Sequence, residues 1–244
     1  MIASPHNEKL KLVRKLRDRK HREREGLFAT EGEDLLAAGL AAGAEPRFVL
    51  VGAGSGLSGE EVDPGLLAEV STLGSGTRAI AVWPLRRVGA IAPPCVYLQG
   101  VGDPGNVGAI VRTAHALLGG TVVLGPGCAD PCGPKAVRAS MGSIFGEPLA
   151  RGEIGETPRP RAALVARGGR GLEELGAVQT VCLGAERKGL PQAVLEECDL
   201  RVTIPVRPGA AESLNVAAAA AIALERVASA ARISDSSQAS ERET

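Results

Sequence analysis

Aromatic side chains are nearly missing from this chain of 244 residues: Phe28, Phe48, Trp83, Tyr97 and Phe145 are all of them. That scarcity excludes a recognition surface paved with stacking rings. Cysteine is present at 95, 128, 132, 182 and 198, an odd and scattered set. With no signal peptide read at its start, such a set favours reduced, cytosolic thiols over a disulfide framework, and reduced thiols are the expectation. Cys128 and Cys132 lie close together, but no second pair or histidine cluster completes a zinc set, and no metal site is expected. Long apolar runs are also missing. The longest, residues 216–224, is mostly alanine and far below the ~20 residues of a membrane span. A soluble, cytoplasmic protein without a membrane partner is the expectation. Net charge is nil, with 28 Lys+Arg against 28 Asp+Glu, so total charge selects no partner.

The distribution of charge says more. Residues 8–25, "EKLKLVRKLRDRKHRERE", hold nine basic residues against four acidic ones, and the end of the chain, "SDSSQASERET", is slightly acidic. A basic stretch of this kind is either a nucleic-acid footprint or a solvated helix laced with i,i+4 pairs. With so few rings, any nucleic acid would be held through phosphate, ribose and shape.

Hydrophobic periodicity divides the chain in two. Residues 7–25 read as one basic amphipathic helix, followed by strand 27–32, helix 33–43, strand 47–52, helix 63–73 and strand 77–84. This small α/β unit covers 1–83. The stretch "PLRRVGAIAPP", 84–94, with three prolines and no period, reads as a linker. From Cys95 the alternation resumes through strands at 95–100, 121–125, 162–167, 179–184 and 200–205. Helices follow Asn106 and fall at 134–140, 191–198 and 213–233. Strands alternating with helices predict a parallel sheet covered on both faces. The second domain is expected over 95–233, with a disordered tail at 234–244.

"GSGLSG", residues 54–59, matches G-x-G-x-x-G after a strand and raises a dinucleotide-binding oxidoreductase. The motif requires a helix whose N-terminus faces a pyrophosphate. Here Glu60 and Glu61 follow the third glycine, and "VDPG" interrupts any helix. A surface loop accounts for the glycines more simply.

Polar residues gather just past three strands of the second domain, where parallel sheets bind ligands. In "DPGNVGAIVRTAHALLGG", 103–120, Asn106 stands at the expected N-cap and Arg112 is a lone charge two turns into an apolar helix. "GAERKGLP" carries Glu186 past the next strand. Ser213, Leu214 and Asn215 head an alanine-rich helix. Singly, each has a plain reading: Ser213 or Asn215 as an N-cap, Glu186 as a surface charge, Arg112 reaching out of an apolar face to water. Together they describe a cleft.

These three segments, with "PKAVRASMGSIF" at 134–145 between them, resemble the ordered motifs of the SpoU/TrmH group of RNA ribose 2′-O-methyltransferases, within the SPOUT superfamily. The likeness covers roughly residues 95–231. Residues 1–83 resemble, more weakly, the small ribosomal-protein-like substrate-binding domain that many members carry in front, "FATEG" after a basic helix being the part that fits. The resemblance implies a parallel α/β domain whose C-terminal chain threads a deep trefoil knot, an exception to the general absence of knots. It implies S-adenosylmethionine as methyl donor, bound by backbone at Leu183, Gly184, Ile204 and Leu214, with no metal. It also implies a homodimer acting on RNA, with ribosomal RNA favoured over transfer RNA by the front domain. The helix after Asn106 and the small-residue helix 216–224 are the expected interface pieces. The loop from Ile204 to Ser213 departs from the family by about one extra residue and by Pro208.

The catalytic set so implied is Asn106, Arg112, Glu186, Ser213 and Asn215. Methyl transfer from a sulfonium to a hydroxyl needs the two reacting atoms in line and a destination for the hydroxyl proton. Arginine is a poor base, because a guanidinium keeps its proton. Arg112 therefore either organises a proton relay through a neighbouring RNA phosphate, or is desolvated enough to act itself; the relay is the less demanding route. Competing classes are a non-catalytic RNA-binding or ribosome-assembly factor and the oxidoreductase of "GSGLSG".

Overall fold

The computed structural model of the chain describes every residue except 74–75, 86–89, 208, 210–212 and 243–244, and leaves out the side chains of 233–242. Pro208, part of the 84–94 linker and the end of the expected tail lie outside the described residues. Contacts divide the chain into one unit of Met1–Arg86 with Asp130–Gly146 and another of Arg87–Ala129 with Glu147–Thr244.

In the first unit, the expected basic helix is two: α1 (Glu8–Lys15) and α2 (Arg19–Glu25). The break is stabilised by Arg22, which is buried and donates from Nη1 to the carbonyls of Leu16 and Arg17, both at 2.7 Å. These are carbonyls that a helix end leaves without intrahelical partners. Then follow β1 (Leu27–Glu31), α3 (Glu33–Ala41), β2 (Phe48–Gly52), β3 (Glu60–Val62), α4 (Pro64–Val70) and β4 (Ala79–Pro84). The sheet order is β1-β4-β2-β3. β4 runs antiparallel to both β1 and β2, while β3 is parallel to β2, so this sheet is mixed. β3 has no counterpart in the periodicity reading, because Glu60 and Glu61 read as loop. "GSGLSG" is the connection from β2 into that strand. No helix follows its third glycine, and the phosphate-binding geometry of a dinucleotide motif is missing.

The second unit supplies β5 (Cys95–Gln99), α5 (Pro104–Leu117) and β6 (Thr121–Leu124). Residues 130–146, including α6 (Pro134–Ser140) and a 3-10 turn at Ser143–Phe145, then group with the first unit. The sequence reading placed "PKAVRASMGSIF" with the second domain. Its attachment to the first rests on partners distant in sequence: Asp130 accepts from Arg22 Nη2 at 2.7 Å, and the Phe145 ring lies edge-on to Trp83 at 4.7 Å between centroids. The second unit resumes with β7 (Leu149–Arg151), β8 (Arg161–Leu164), β9 (Thr180–Gly184), α7 (Gln192–Glu196), β10 (Leu200–Val202) and α8 (Val216–Arg242). α8 is longer than the helix expected over 213–233.

The six strands form one sheet, β10-β8-β9-β5-β6-β7, in which every pairing is parallel. The expected parallel sheet is therefore present, and all its strands end at one edge. Val107, Ile110, Val111 and Ala114 of α5 join Val216, Ala220, Ala223, Leu224 and Val227 of α8 in a core against one face. Tyr97, Val123, Ile154, Cys182, Leu190 and Val194 fill the other. Burying apolar area on both faces is what an all-parallel sheet requires.

Candidate active site

A cavity of about 120 Å³ opens at the carboxyl ends of β8, β9 and β10. Its walls include Leu164, Val165 and Ala166 at the end of β8, Leu183 to Glu186 and Gly189 at the end of β9 and in the turn after it, and Ile204, Val206, Ser213 and Leu214 beyond β10. All four residues expected to bind a cofactor, Leu183, Gly184, Ile204 and Leu214, line it. So do Glu186 and Ser213 of the expected catalytic set.

Main chain shapes much of this wall. A Cβ on Gly184 would stand 2.2 Å from the carbonyl carbon of Gly189 and 2.4 Å from the nitrogen of Leu190. The close approach comes from a turn in which the chain doubles back: Gly189 N donates to Ala185 O at 2.8 Å, and Gly189 adopts φ +65°. Glycine suits both positions, one for space and one for backbone conformation.

Asn106 and Asn215 sit beside Glu186. The α5 N-cap is Asp103, not Asn106 as expected: its side chain accepts from Asn106 N at 3.0 Å, and Pro104 occupies the first turn. The Asn106 amide is thereby released from capping. Its Nδ2 donates to Glu186 Oε1, and its Oδ1 accepts from Asn215 Nδ2 at 3.2 Å. A carboxylate only accepts, so Glu186 fixes which end of the amide faces it. Asn215 is fixed from the other side. Its Oδ1 caps α8, accepting from Ala217 N at 2.9 Å and Ala218 N at 3.3 Å, which leaves its amino group to face Asn106. The plain reading of Asn215 as a cap and the functional one both describe it.

Arg112 is exposed on α5 and is not among the residues lining the cavity. The structure thus brings Asn106, Glu186 and Asn215 into one hydrogen-bonded chain, with Ser213 on the adjoining wall. Sequence reasoning missed Leu164, Val165 and Ala166. A plain apolar strand end carries no polar signal, and only its place beside β9 in the sheet could have marked it. Glu186 is the one charged side chain among the described residues of the lining, so the cavity is negative at its polar end. No disulfide joins the five cysteines, and among the described residues no cluster of His, Cys, Asp and Glu could hold a metal ion. Nor, among the described residues, is any helix long and apolar enough to cross a membrane.

Residues 93–225 match the sequence model of the SpoU rRNA methylase family, and residues 7–80 that of the MRM3-like substrate binding domain. The chain belongs to the SpoU rRNA methylase family and is a methyltransferase of that family. One relative is the Bacillus subtilis 23S rRNA (guanosine(2553)-2′-O)-methyltransferase RlmP, 31% identical, with 91% of this chain and 96% of that protein covered. Among solved structures, the SpoU methyltransferase AviRb from Streptomyces viridochromogenes, in complex with AdoMet, superposes with a TM-score of 0.81 at 26% identity, covering 94% of this chain and 99% of that one. The AdoMet-bound rRNA methyltransferase from Sinorhizobium meliloti gives 0.78 at 25% identity, covering 93% and 96%.

Proposed function

We propose that the protein transfers the methyl group of S-adenosylmethionine to a ribose 2′-hydroxyl of large-subunit ribosomal RNA. The observation that carries this reading is the cavity at the ends of β8, β9 and β10, with the Asn106–Glu186–Asn215 chain beside it. Its walls suit the donor. Leu214 and Val206, each 39% exposed on the wall, are apolar surface for a ligand to cover, and the single carboxylate suits a cation. A phosphate-bearing dinucleotide would meet that carboxylate unfavourably. Leu183, Gly184, Ile204 and Leu214 would hold the donor, whose sulfonium supplies an activated methyl group.

The chain's own work is positional. Asn106, held at both ends of its amide, offers a fixed polar edge beside the cavity, and orientation of this kind accounts for much of catalysis. Arg112 is exposed, and exposure favours the relay over a desolvated base: its planar fork can hold an RNA phosphate that takes the hydroxyl proton. The relatedness to RlmP supports ribosomal RNA over transfer RNA. Family membership further supports a homodimer using α5 and α8, a trefoil knot in the C-terminal chain, and substrate RNA on the domain at 1–83.

The test is transfer of labelled methyl from S-adenosylmethionine to separated rRNA and tRNA from cells lacking the gene, with wild type and Arg112→Ala side by side. Expected is 2′-O-methylribose in large-subunit rRNA with wild type only, donor binding being equal in both proteins. Label in tRNA alone overturns the substrate; equal transfer by the variant overturns the role of Arg112. Loss of donor binding together with transfer makes Arg112 structural.

A further inference from the structure

The face of the sheet opposite α5 and α8 holds two thiols that the proposed methyl transfer does not use. Cys182 lies mid-strand in β9, fully buried among Tyr97, Ala163, Leu190 and Val194. Cys198, just after α7, is partly buried and packs against the same cluster. Its Sγ donates to Val194 O at 3.2 Å, and Val194 belongs to the same cluster as Cys182, so both thiols border one set of side chains. Between them in the chain run residues 183–197, which include Leu183, Gly184, Ala185, Glu186 and Gly189 of the cavity wall.

We propose that Cys182 and Cys198 form an oxidation site, in which a hydroperoxide converts the dithiol to a disulfide that closes a covalent loop around this wall. The surroundings give the two sulfurs different roles. Arg161 and Arg159 lie on the Cys198 side: Arg161 Nη1 donates to Glu197 Oε2 at 2.9 Å, and Arg159 pairs with Glu197 and Asp199. The interaction with Cys182 and these cations hold Cys198 below the usual thiol range, against the opposing pull of burial and Asp199. The interaction with Cys198, together with burial, pushes Cys182 far up. A thiolate is the nucleophile toward peroxide, and Cys198 is the partly exposed sulfur beside these cations while Cys182 is fully buried, so Cys198 attacks first.

The chemistry balances with the hydroperoxide as sole oxidant. The Cys198 thiolate takes the terminal oxygen of ROOH together with its hydrogen, the O–O bond breaks to give Cys198–SOH, and the alkoxide leaves as ROH after taking one proton from solvent. Cys182 sulfur then displaces hydroxide from that sulfenic acid, and its own thiol proton leaves with the hydroxide as water. Two thiols are oxidised and one peroxide is reduced. Bonding draws the end of α7 toward β9. The turn at 185–191 precedes α7 directly, so Glu186 shifts relative to Asn106 and the cavity wall moves with it.

The full chain is treated with hydrogen peroxide, blocked with N-ethylmaleimide and digested without reduction. Mass spectrometry is expected to find a Cys182–Cys198 linked peptide in wild type and none in Cys198→Ser or Cys182→Ala. Calorimetry with S-adenosylmethionine is expected to show several-fold weaker binding after oxidation, reversal by dithiothreitol, and no change in treated Cys198→Ser. Cys198 found unreacted, found as sulfinic acid without a link, or linked to Cys95, Cys128 or Cys132 overturns the site. A linked protein that binds the donor as tightly as the reduced one overturns the coupling to the cavity. Because the linked peptide is read without any RNA, the proposal stands or falls separately from the methyl-transfer reading.

Discussion

The first unit holds four of the five aromatic residues, Phe28, Phe48, Trp83 and Phe145, whereas the second has Tyr97 alone. The first unit closes its core with rings: Phe145 lies 5.8 Å from Phe28 and 4.7 Å from Trp83, centroid to centroid. The second lines a cavity with aliphatic side chains and main chain. Buried charge differs as well. Arg22 in the first unit is paired with Asp130 and two carbonyls, while Glu147 in the second is buried with neither carboxylate oxygen hydrogen-bonded among the described residues. His21 Nδ1 of the first unit is also buried without a hydrogen-bond partner among the described residues, so the difference lies in the unpaired carboxylate and in the space kept at the sheet edge, as expected between a scaffold and a site.

The comparison breaks most visibly at Trp83. Its indole is 1% exposed, donates from Nε1 to Thr30 Oγ1 at 2.9 Å, and approaches α3 so closely that a Cβ on Gly39 would lie 2.5 Å from its ring. Trp83→Ala is expected to cost about 4 kcal/mol, as large aromatic truncations in cores do. Urea unfolding will measure it. An intact first unit with wild-type stability would mean that the rings only fill space that other groups can take.

Glu147 gives the next effect, and its sign is fixed by linkage. Burial raises its carboxyl from 4.5 to about 7. In that window the native state holds a proton that the unfolded chain has released, so stability falls as pH rises through it. The fall amounts to about 3 kcal/mol and is complete above the native value. Glu147→Gln should remove this slope and be the more stable protein at about pH 8, with no such gain near pH 4. Unfolding midpoints across that range in both proteins decide it; parallel curves would mean the carboxyl is solvated.

Much of the second unit was legible in the sequence because alternating apolar strands and helices leave few other architectures, and because polar residues interrupt that pattern only at strand ends. Asn106, Glu186 and Asn215 stood out for that reason. What stayed hidden is tertiary. The break between α1 and α2 depends on a guanidinium reaching back to two carbonyls. The attachment of 130–146 to the first unit depends on Asp130 and Phe145 meeting Arg22 and Trp83, far away in the chain. The capping of α5 by Asp103 was misread by one turn, since Asp103 and Asn106 are both good caps and only the proline between them decides.

Gly184 tests the claim that the cavity is made of backbone. A methyl group there collides with main-chain atoms of Gly189 and Leu190, which cannot rotate away as a side chain would. Gly184→Ala should displace the turn that carries Glu186 and lower methyl transfer about 100-fold, the usual cost of misplacing a site by an ångström. Donor affinity should fall with it. An unchanged affinity would show that the turn is not part of the donor site.

The smallest effect separates two roles of one residue. Asn215 caps α8 with its oxygen and orients Asn106 with its nitrogen. Asn215→Ala loses both, and the cap alone is worth about 1 kcal/mol. Asn215→Asp keeps an acceptor for the Ala217 and Ala218 amides and a negative charge suited to a helix start, so thermal stability should stay near wild type. The same change places a second carboxylate against Asn106, beside Glu186. One amide has a single donor end, so it can satisfy only one of the two. Methyl transfer should therefore drop in Asn215→Asp as far as in Asn215→Ala, although only the alanine variant is destabilised. If transfer instead tracks stability across the pair, Asn215 acts on the site solely by starting the helix, and the cavity owes its order to main chain alone.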